Sequence, residues 1–353
     1  MFDSLFGLIT HDIGIDLGTA NTLVYVRGKG IVIREPSVIA RHKKTKEILA
    51  IGVQAKKMEG RTPATIEAIR PLKDGVIADF DGTLAMLSYF IGKVHETPEG
   101  VRRIGLPKIP RPRVVIGIPS GVTEVERRAV QEAALSAGAR KAYLIEEPMA
   151  AAIGAGLSVC EAGGIFVVDM GGGTTEIALI SLGGIVLNRG LRIAGDELDE
   201  AIVSYLRMRY SMLLGRASAE ELKLAIGSVV PLPTEKSHVI RGRDLETGLP
   251  KSMKITSFEV REAITPVVQQ IVSRIADTLE SAPPELVSDV IERGIVLAGG
   301  GALLPGFDQL ISEAVKIPVW IADDPLTAVT RGTGRVLDDP SLLKKVRVTG
   351  GLR

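Results

Sequence analysis

Apolar and polar positions along the chain fall into one plan that is written twice. The runs "DIGIDL", "TLVYV" and "GIVI" are rich in β-branched residues and punctuated by glycine at 28 and 30, which predicts a small antiparallel meander over residues 12–33. The segment "IFVVDMGGGTTEIALISLGGIVL", residues 165–187, repeats it, with Asp169, Gly171 and Thr175 falling 153 positions after Asp16, Gly18 and Thr22. A second pair follows the first. "RVVIGIPSGV" leads through a helix to "YLIEEPMAAAIG", and "GIVLAGGGAL" leads through a helix to "VWIADDPLTAVTRGTG", so that Glu146-Glu147-Pro148 is echoed by Asp323-Asp324-Pro325.

Repeats of this length are not solenoid units, and they predict two pseudo-equivalent α/β lobes, each a mixed sheet with flanking helices, facing each other across a cleft. Thr123 and Glu126 predict a capping box for a helix that stops at Gly138. Asp196 is expected to cap a helix running to Gly215, and Ser218 with Glu221 to open another that ends at Gly227. Two insertions, roughly 35–75 and 190–260, carry charge runs expected to be solvated.

Composition narrows the function. The chain has 353 residues, 45% of them hydrophobic, and a net charge of +1, which suits a soluble multi-lobed protein and argues against a dedicated nucleic-acid binder. One cysteine, Cys160, and four scattered histidines exclude an intrachain disulfide and a cysteine zinc site, and fit a reducing cytoplasm. No apolar run reaches the roughly 18 residues needed to cross a bilayer. The segment "MFDSLFGLIT" has neither a basic start nor a small-residue cleavage site, so neither secretion nor membrane spanning is expected.

The candidate chemistry lies at the repeated turns. The chain has no Gly-x-x-x-x-Gly-Lys-Ser/Thr loop and no Rossmann fingerprint. Glycine at a hairpin tip instead lets backbone amides approach a phosphate, and threonine and asparagine add donors. A carboxylate there repels phosphate unless a cation intervenes, and magnesium is commonly held by one or two carboxylates beside phosphates, which assigns Asp16 and Asp169 to Mg2+. The stretch "LAGGGALLPG", residues 297–306, suits close approach of a base or ribose to backbone, or is a plain glycine-rich turn. Glu147, at a strand end before Pro148, is placed either to order a water at the γ-phosphate or to complement a helix dipole.

With these motifs in hand, "DIGIDLGTANTLVY", "RTPATIEAIRPLKDGVIADF", "VERRAV", "LIEEPMAAAIGAGL", "VVDMGGGTTEIA", "PPELVSDVIERG" and "DPLTAVTRGTG" resemble the MreB family of bacterial actin-like rod-shape proteins over nearly the whole chain. The resemblance implies an α/β actin-like fold of two lobes with mixed, ribonuclease H-like sheets around a nucleotide cleft. Residues 1–39, 74–160 and 331–353 are then the large subdomain of the first lobe and 40–73 its small one; 161–197 and 262–330 are the large subdomain of the second and 198–261 its small one.

It further implies ATP and ADP with Mg2+ as ligands, and slow ATP hydrolysis coupled to filament assembly. The implied partners are further copies of the chain in paired antiparallel protofilaments, the inner face of the cytoplasmic membrane, and membrane proteins of cell elongation such as RodZ and MreC, with no nucleic acid. The implied role is guidance of cell-wall synthesis in a rod-shaped cell. Carried over by motif, Gly18, Thr19, Ala20 and Asn21 meet the phosphates from one loop, and Gly171, Gly172, Gly173 and Thr174 from the other, with Gly195 beside them. Glu220, Glu221, Leu222 and Lys223 and the loop Gly299, Gly300, Gly301, Ala302 and Leu303 border the adenosine. Glu147 places the attacking water, with Thr174 beside it. Muscle-type actin carries a lysine where Leu23 stands, so neutralisation here falls more on magnesium and backbone amides.

Two segments are expected to touch the membrane. Phe2, Leu5, Phe6 and Ile9 share one helical face, although ten residues make only a marginal helix in water, so many copies on a filament are needed for firm binding. In "VRRIGLPKIPRPR", residues 101–113, Ile104 and Leu106 are flanked by arginine and lysine, as suits a loop entering a lipid interface. The alternative function is a small-molecule kinase of the same superfamily. A peptide-binding chaperone is less expected, because little sequence follows "DPLTAVTRGTG".

Overall fold

The computed structural model describes residues 11–95 and 112–348, and the chain divides into two units. Unit 1 holds Met1–Glu161, Leu182–Ile185 and Thr327–Arg353, and unit 2 holds Ala162–Ser181 and Val186–Leu326. The expected membrane-contact residues Phe2, Leu5, Phe6, Ile9, Ile104 and Leu106 lie outside the described residues.

In unit 1, β1 (Ile13–Leu17), β2 (Asn21–Val26) and β3 (Gly30–Pro36) form the predicted meander, with Leu17 opposite Thr22. A three-stranded sheet follows from β4 (Ile39–His42), β5 (Ile48–Ile51) and β6 (Ile66–Ile69), with α1 (Val53–Met58) packed on it through Ala55. Strands β7 (Leu72–Lys73) and β8 (Val76–Ile77) form a tight hairpin through Asp74 and Gly75, at φ 50° and 76°, the left-handed pair that a two-residue turn demands. Then come α2 (Phe80–His95), β9 (Arg113–Ile118), α3 (Glu124–Ser136) with its Thr123–Glu126 capping box, β10 (Lys141–Glu146) and α4 (Glu147–Gly154).

Unit 2 repeats the plan. Its meander is β11 (Ile165–Met170), β12 (Thr175–Ser181) and β13 (Gly184–Leu191). The inserted part is α5 (Gly195–Tyr210), β14 (Met212–Leu213), α6 (Arg216–Ile226), β15 (Ser237–Asp244) and β16 (Pro250–Thr256). Helices α7 (Ser257–Glu280) and α8 (Pro284–Arg293) lead to β17 (Ile295–Ala298), a 3-10 turn at Gly300–Leu303, α9 (Phe307–Val315) and β18 (Val319–Ile321). The sheet orders are β3-β2-β1-β9-β10 and β13-β12-β11-β17-β18, an antiparallel meander extended by two parallel strands in both cases. Each sheet has its own core, built around Ile13, Ile15, Ile116 and Phe90 in one unit and Phe166, Val168, Ile264 and Phe307 in the other.

After β18 the chain rejoins unit 1 with α10 (Ala328–Asp338) and α11 (Pro340–Val346). Helices α4 and α10 cross backbone on backbone: a Cβ on Gly154 would lie 1.8 Å from the Ala328 carbonyl oxygen, and one on Gly332 1.9 Å from that of Ala150. The acid-acid-proline echo is only partial, since Glu147 begins a helix whereas Asp324 is left-handed at φ 44° and leads into a 3-10 turn, Pro325–Thr327.

Four expectations need correction. The helix from Asp196 ends at Tyr210 and not at Gly215, because Ser211 turns left-handed and Met212 and Leu214 enter the core. Asp196 lies in the first turn and does not cap it; Glu197 accepts the Ala194 amide at 2.8 Å instead. The next helix begins at Arg216, two residues before Ser218, with Gly215 before it. Nor is the first charge run wholly solvated: the Arg41 guanidinium is largely buried between Glu67 and Asp79, at 2.8 and 2.6 Å.

Candidate functional site

Each unit carries one phosphate-type loop at the tip of its meander, and each is built on the same register. Leu17 pairs with Thr22 and Met170 with Thr175, which leaves four-residue loops, Gly18–Asn21 and Gly171–Thr174. Both threonines are fully buried anchors: Thr22 Oγ1 lies 2.8 Å from Ser37 Oγ, and Thr175 Oγ1 donates to the Ile193 carbonyl at 2.7 Å. The 153-residue repeat is therefore a repeat of hydrogen-bonded geometry.

In unit 1, Asp16 stands on β1 opposite Leu23 on β2 and Gly117 on β9. A Cβ at Gly117 would sit 3.5 Å from Glu147 Cγ, so Glu147, itself buried at the start of α4, leans over β9 beside the strand that carries Asp16. Thr330 of α10 approaches Asp16 at 3.5 Å, a weak contact. Thr19, also buried, accepts the Gly75 amide of the β7–β8 turn at 3.1 Å. Gly18 and Ala20 are half-buried and Asn21 is exposed, so amides and the Asn21 side chain remain open to a ligand.

In unit 2, Asp169 is buried at the end of β11, and a Cβ on Gly299 would lie 2.6 Å from its Oδ1. Gly299 adopts φ 78° and Gly301 lies against the Met170 side chain, so the glycine loop after β17 seats directly on the Asp169 strand end. Gly300 and Leu303 are exposed and Ala302 is buried. The second phosphate loop is braced by the first turn of α5: the Gly195 amide donates to the Gly171 carbonyl at 3.3 Å and the Asp196 amide to the Gly172 carbonyl at 2.7 Å. On α6, Glu220 is half-buried and Glu221 exposed, while Leu222 is a core residue. The Lys223 ammonium turns inward to the Gly195 carbonyl at 2.8 Å and to Asp199 at 2.7 Å.

Burial pushes the Asp16 carboxyl up to about 7, with only the Thr330 hydroxyl acting against it. A carboxylate so short of partners fits a divalent cation held by one or two carboxylates and several waters. Among the described residues no three His, Cys, Asp or Glu side chains gather into a metal cluster. No helix among the described residues is long and apolar enough to cross a membrane.

Sequence reasoning passed over three residues. Thr330 lies in "DPLTAVTRGTG" but its position under Asp16 depends on α10 returning to unit 1. Gly75 reads only as a turn residue. Asp199 had a readable signal: it is an acid on the apolar stripe of α5, between Leu198 and Ile202.

The sequence matches the MreB/Mbl protein family over residues 10–345. It is 51% identical to the cell shape-determining protein MreB of Escherichia coli (strain K12) over 342 residues, covering 96% of both chains. It is 46% identical to the cell shape-determining protein Mbl of Bacillus subtilis (strain 168), covering 97% of this chain and 100% of that one. Among solved structures, MreB5 of Spiroplasma citri bound to ADP superimposes with a TM-score of 0.88 at 37% identity, covering 96% of this chain and 98% of that one.

Proposed function

The chain belongs to the MreB/Mbl family, and from that premise we propose that it is an ATP-dependent actin-like protein that assembles into membrane-associated filaments and determines cell shape. The observation that carries this reading is the pair of four-residue loops in identical register, each with an aspartate at the preceding strand end. A phosphate chain needs amides and a cation, and both loops are built to supply them. That a Spiroplasma citri relative is known bound to ADP supports a nucleotide as the ligand. The small-molecule kinase reading is not favoured, since the curated relatives are cell shape-determining proteins.

In this reading the amides of Gly18–Asn21 and Gly171–Thr174 bind the phosphates. Asp16 and Asp169 are the residues that would hold a hydrated magnesium ion, and such an ion would offset the phosphate charge that Leu23 does not. The Gly299–Leu303 loop and the Glu220–Glu221 stretch of α6 border the nucleoside. Glu147 accepts a proton from, and so orients, the water that attacks the γ-phosphate, with the Thr174 hydroxyl beside it. Glu147 is buried at the start of α4 over Gly117, a fixed setting that suits a group that must aim one water.

Assembly is tested by sedimentation with ATP, Mg2+ and anionic liposomes, in which the protein is expected to pellet as filaments. A chain that stays monomeric on liposomes with every nucleotide rules the proposal out. For the chemistry, Glu147→Ala is expected to keep ATP binding and to slow phosphate release about a hundredfold; unchanged release removes Glu147 from the role.

A further inference from the structure

We infer that Asp199 is a positioning residue for the nucleotide: paired with Lys223, it fixes the second phosphate loop and thereby the grip on the phosphate chain. The inference rests on the ATP reading above and assigns Asp199 a part in it.

The argument follows one chain of contacts inside unit 2. Asp199 is 3% exposed on the core side of α5, and its partner Lys223 has only 11% of its side chain exposed. The ammonium is shared between Asp199 at 2.7 Å and the Gly195 carbonyl at 2.8 Å. Gly195 in turn donates its amide to Gly171, and the next amide, of Asp196, reaches Gly172. Gly195 has both partners as neighbours: a Cβ there would meet the Gly171 oxygen at 3.4 Å, Lys223 Nζ at 3.5 Å and Gly172 Cα at 3.6 Å, all ordinary contact distances. Asp199, Lys223, Gly195 and the Gly171–Gly172 backbone are therefore linked in sequence, by an ion pair at the first step and hydrogen bonds after it.

For stability alone this pair is a poor choice. Hydrocarbon of the same volume generally packs as well as a buried ion pair or better. What hydrocarbon cannot do is hold a carbonyl at a set distance from a phosphate loop. Without Asp199 the ammonium is a buried, half-compensated cation, and its long stem lets it swing out to solvent and release Gly195. Lys223 also lies one helical turn from Glu220 on α6, so the pair ties the nucleoside-border helix to the phosphate loop of the same unit. A second contact between α5 and α6, Arg216 to Asp196 at 2.8 Å, has an arginine 41% exposed and serves as a comparison, since pairs near solvent contribute little.

The test measures ATP and adenosine affinities of the full chain by calorimetry with competition, beside its apo melting curve. Asp199→Asn and Lys223→Met are each expected to weaken ATP at least about tenfold and adenosine less than about threefold. Combined, they are expected to cost no more than the worse single change, as members of one unit do. Arg216→Ala is expected to leave ATP within about threefold. Equal weakening of ATP and adenosine, or losses that add in the double variant, overturns the inference and reduces the pair to a core contact. Failure of the unmutated chain to bind ATP overturns the nucleotide reading instead, and this inference with it. Asp199→Asn preserves the core volume, so it carries the test alone if Lys223→Met does not fold.

Discussion

The two phosphate-type loops share register, length and a preceding aspartate, yet they are held in place by different means. The first is held through a side chain of its own as well as its backbone: the Thr19 hydroxyl accepts the Gly75 amide of a hairpin turn, and Ser37 donates its hydroxyl to the Gly18 carbonyl at 2.6 Å and its amide to the Ala20 carbonyl at 3.0 Å. The second is held through its own backbone, with the Gly171 and Gly172 carbonyls taking the first amides of α5. Their cross-strand neighbours differ as well: Asp16 faces Leu23, whereas Asp169 faces Glu176. A duplicated backbone thus fixes where a loop stands, and the inserted elements decide which of its atoms must be kept. The first loop should be sensitive to side-chain changes that the second tolerates.

The largest expected effect concerns Asp16. Folded Asp16 keeps its proton up to about pH 7, whereas the unfolded chain releases it near 3.8, so rising pH between those values favours unfolding. At about 1.4 kcal/mol per unit, the apo chain loses on the order of 4 kcal/mol across that window. Chemical denaturation in EDTA is expected to show a falling midpoint from pH 4 to pH 8 that Asp16→Asn flattens; the same slope in both proteins places the burden elsewhere. Next comes a matched pair of glycine changes. A Cβ at Gly18 would lie 2.7 Å from the Asn21 carbonyl oxygen, against 3.4 Å from the Thr174 oxygen for Gly171. Gly18→Ala is expected to cost about 1–3 kcal/mol and Gly171→Ala less than about 1 kcal/mol, read from apo melting. Equal costs would make the loops equivalent after all. The smallest contrast is Thr19→Val, which strands the Gly75 amide for about 1–2 kcal/mol, against Thr174→Val, half-buried, at about 0.5 kcal/mol or less.

Those contrasts also mark what the amino-acid order reveals by itself. The meanders, the loops and the parallel strands were legible because alternation and glycine punctuation act over a few residues. The Thr123–Glu126 cap was legible for the same reason. The end of α5 was not, because Ser211 turns left-handed only to let Met212 pair with Asp244 and bury itself, a gain made more than thirty positions away. Lys223 reads from its motif as a nucleoside contact, yet its ammonium is committed inside the protein, a fact that depends on α5 and α6 packing together. Leu222 and Ala302, adjacent to exposed candidates, are core residues, since helical and 3-10 turns bury one side of any such run.

The return of α10 to unit 1 has a consequence for how the protein is made. Gly14 of β1 lies against Thr333, with a Cβ there only 2.3 Å from the hydroxyl oxygen, so β1 is covered by a helix that leaves the ribosome more than three hundred residues later. Chains usually fold from the N-terminus as they emerge. Here the long stretch Val186–Leu326 completes unit 2 while β1 and β9 still have a bare face. Unit 1 is therefore finished only after unit 2, and until α10 emerges one face of its sheet waits uncovered.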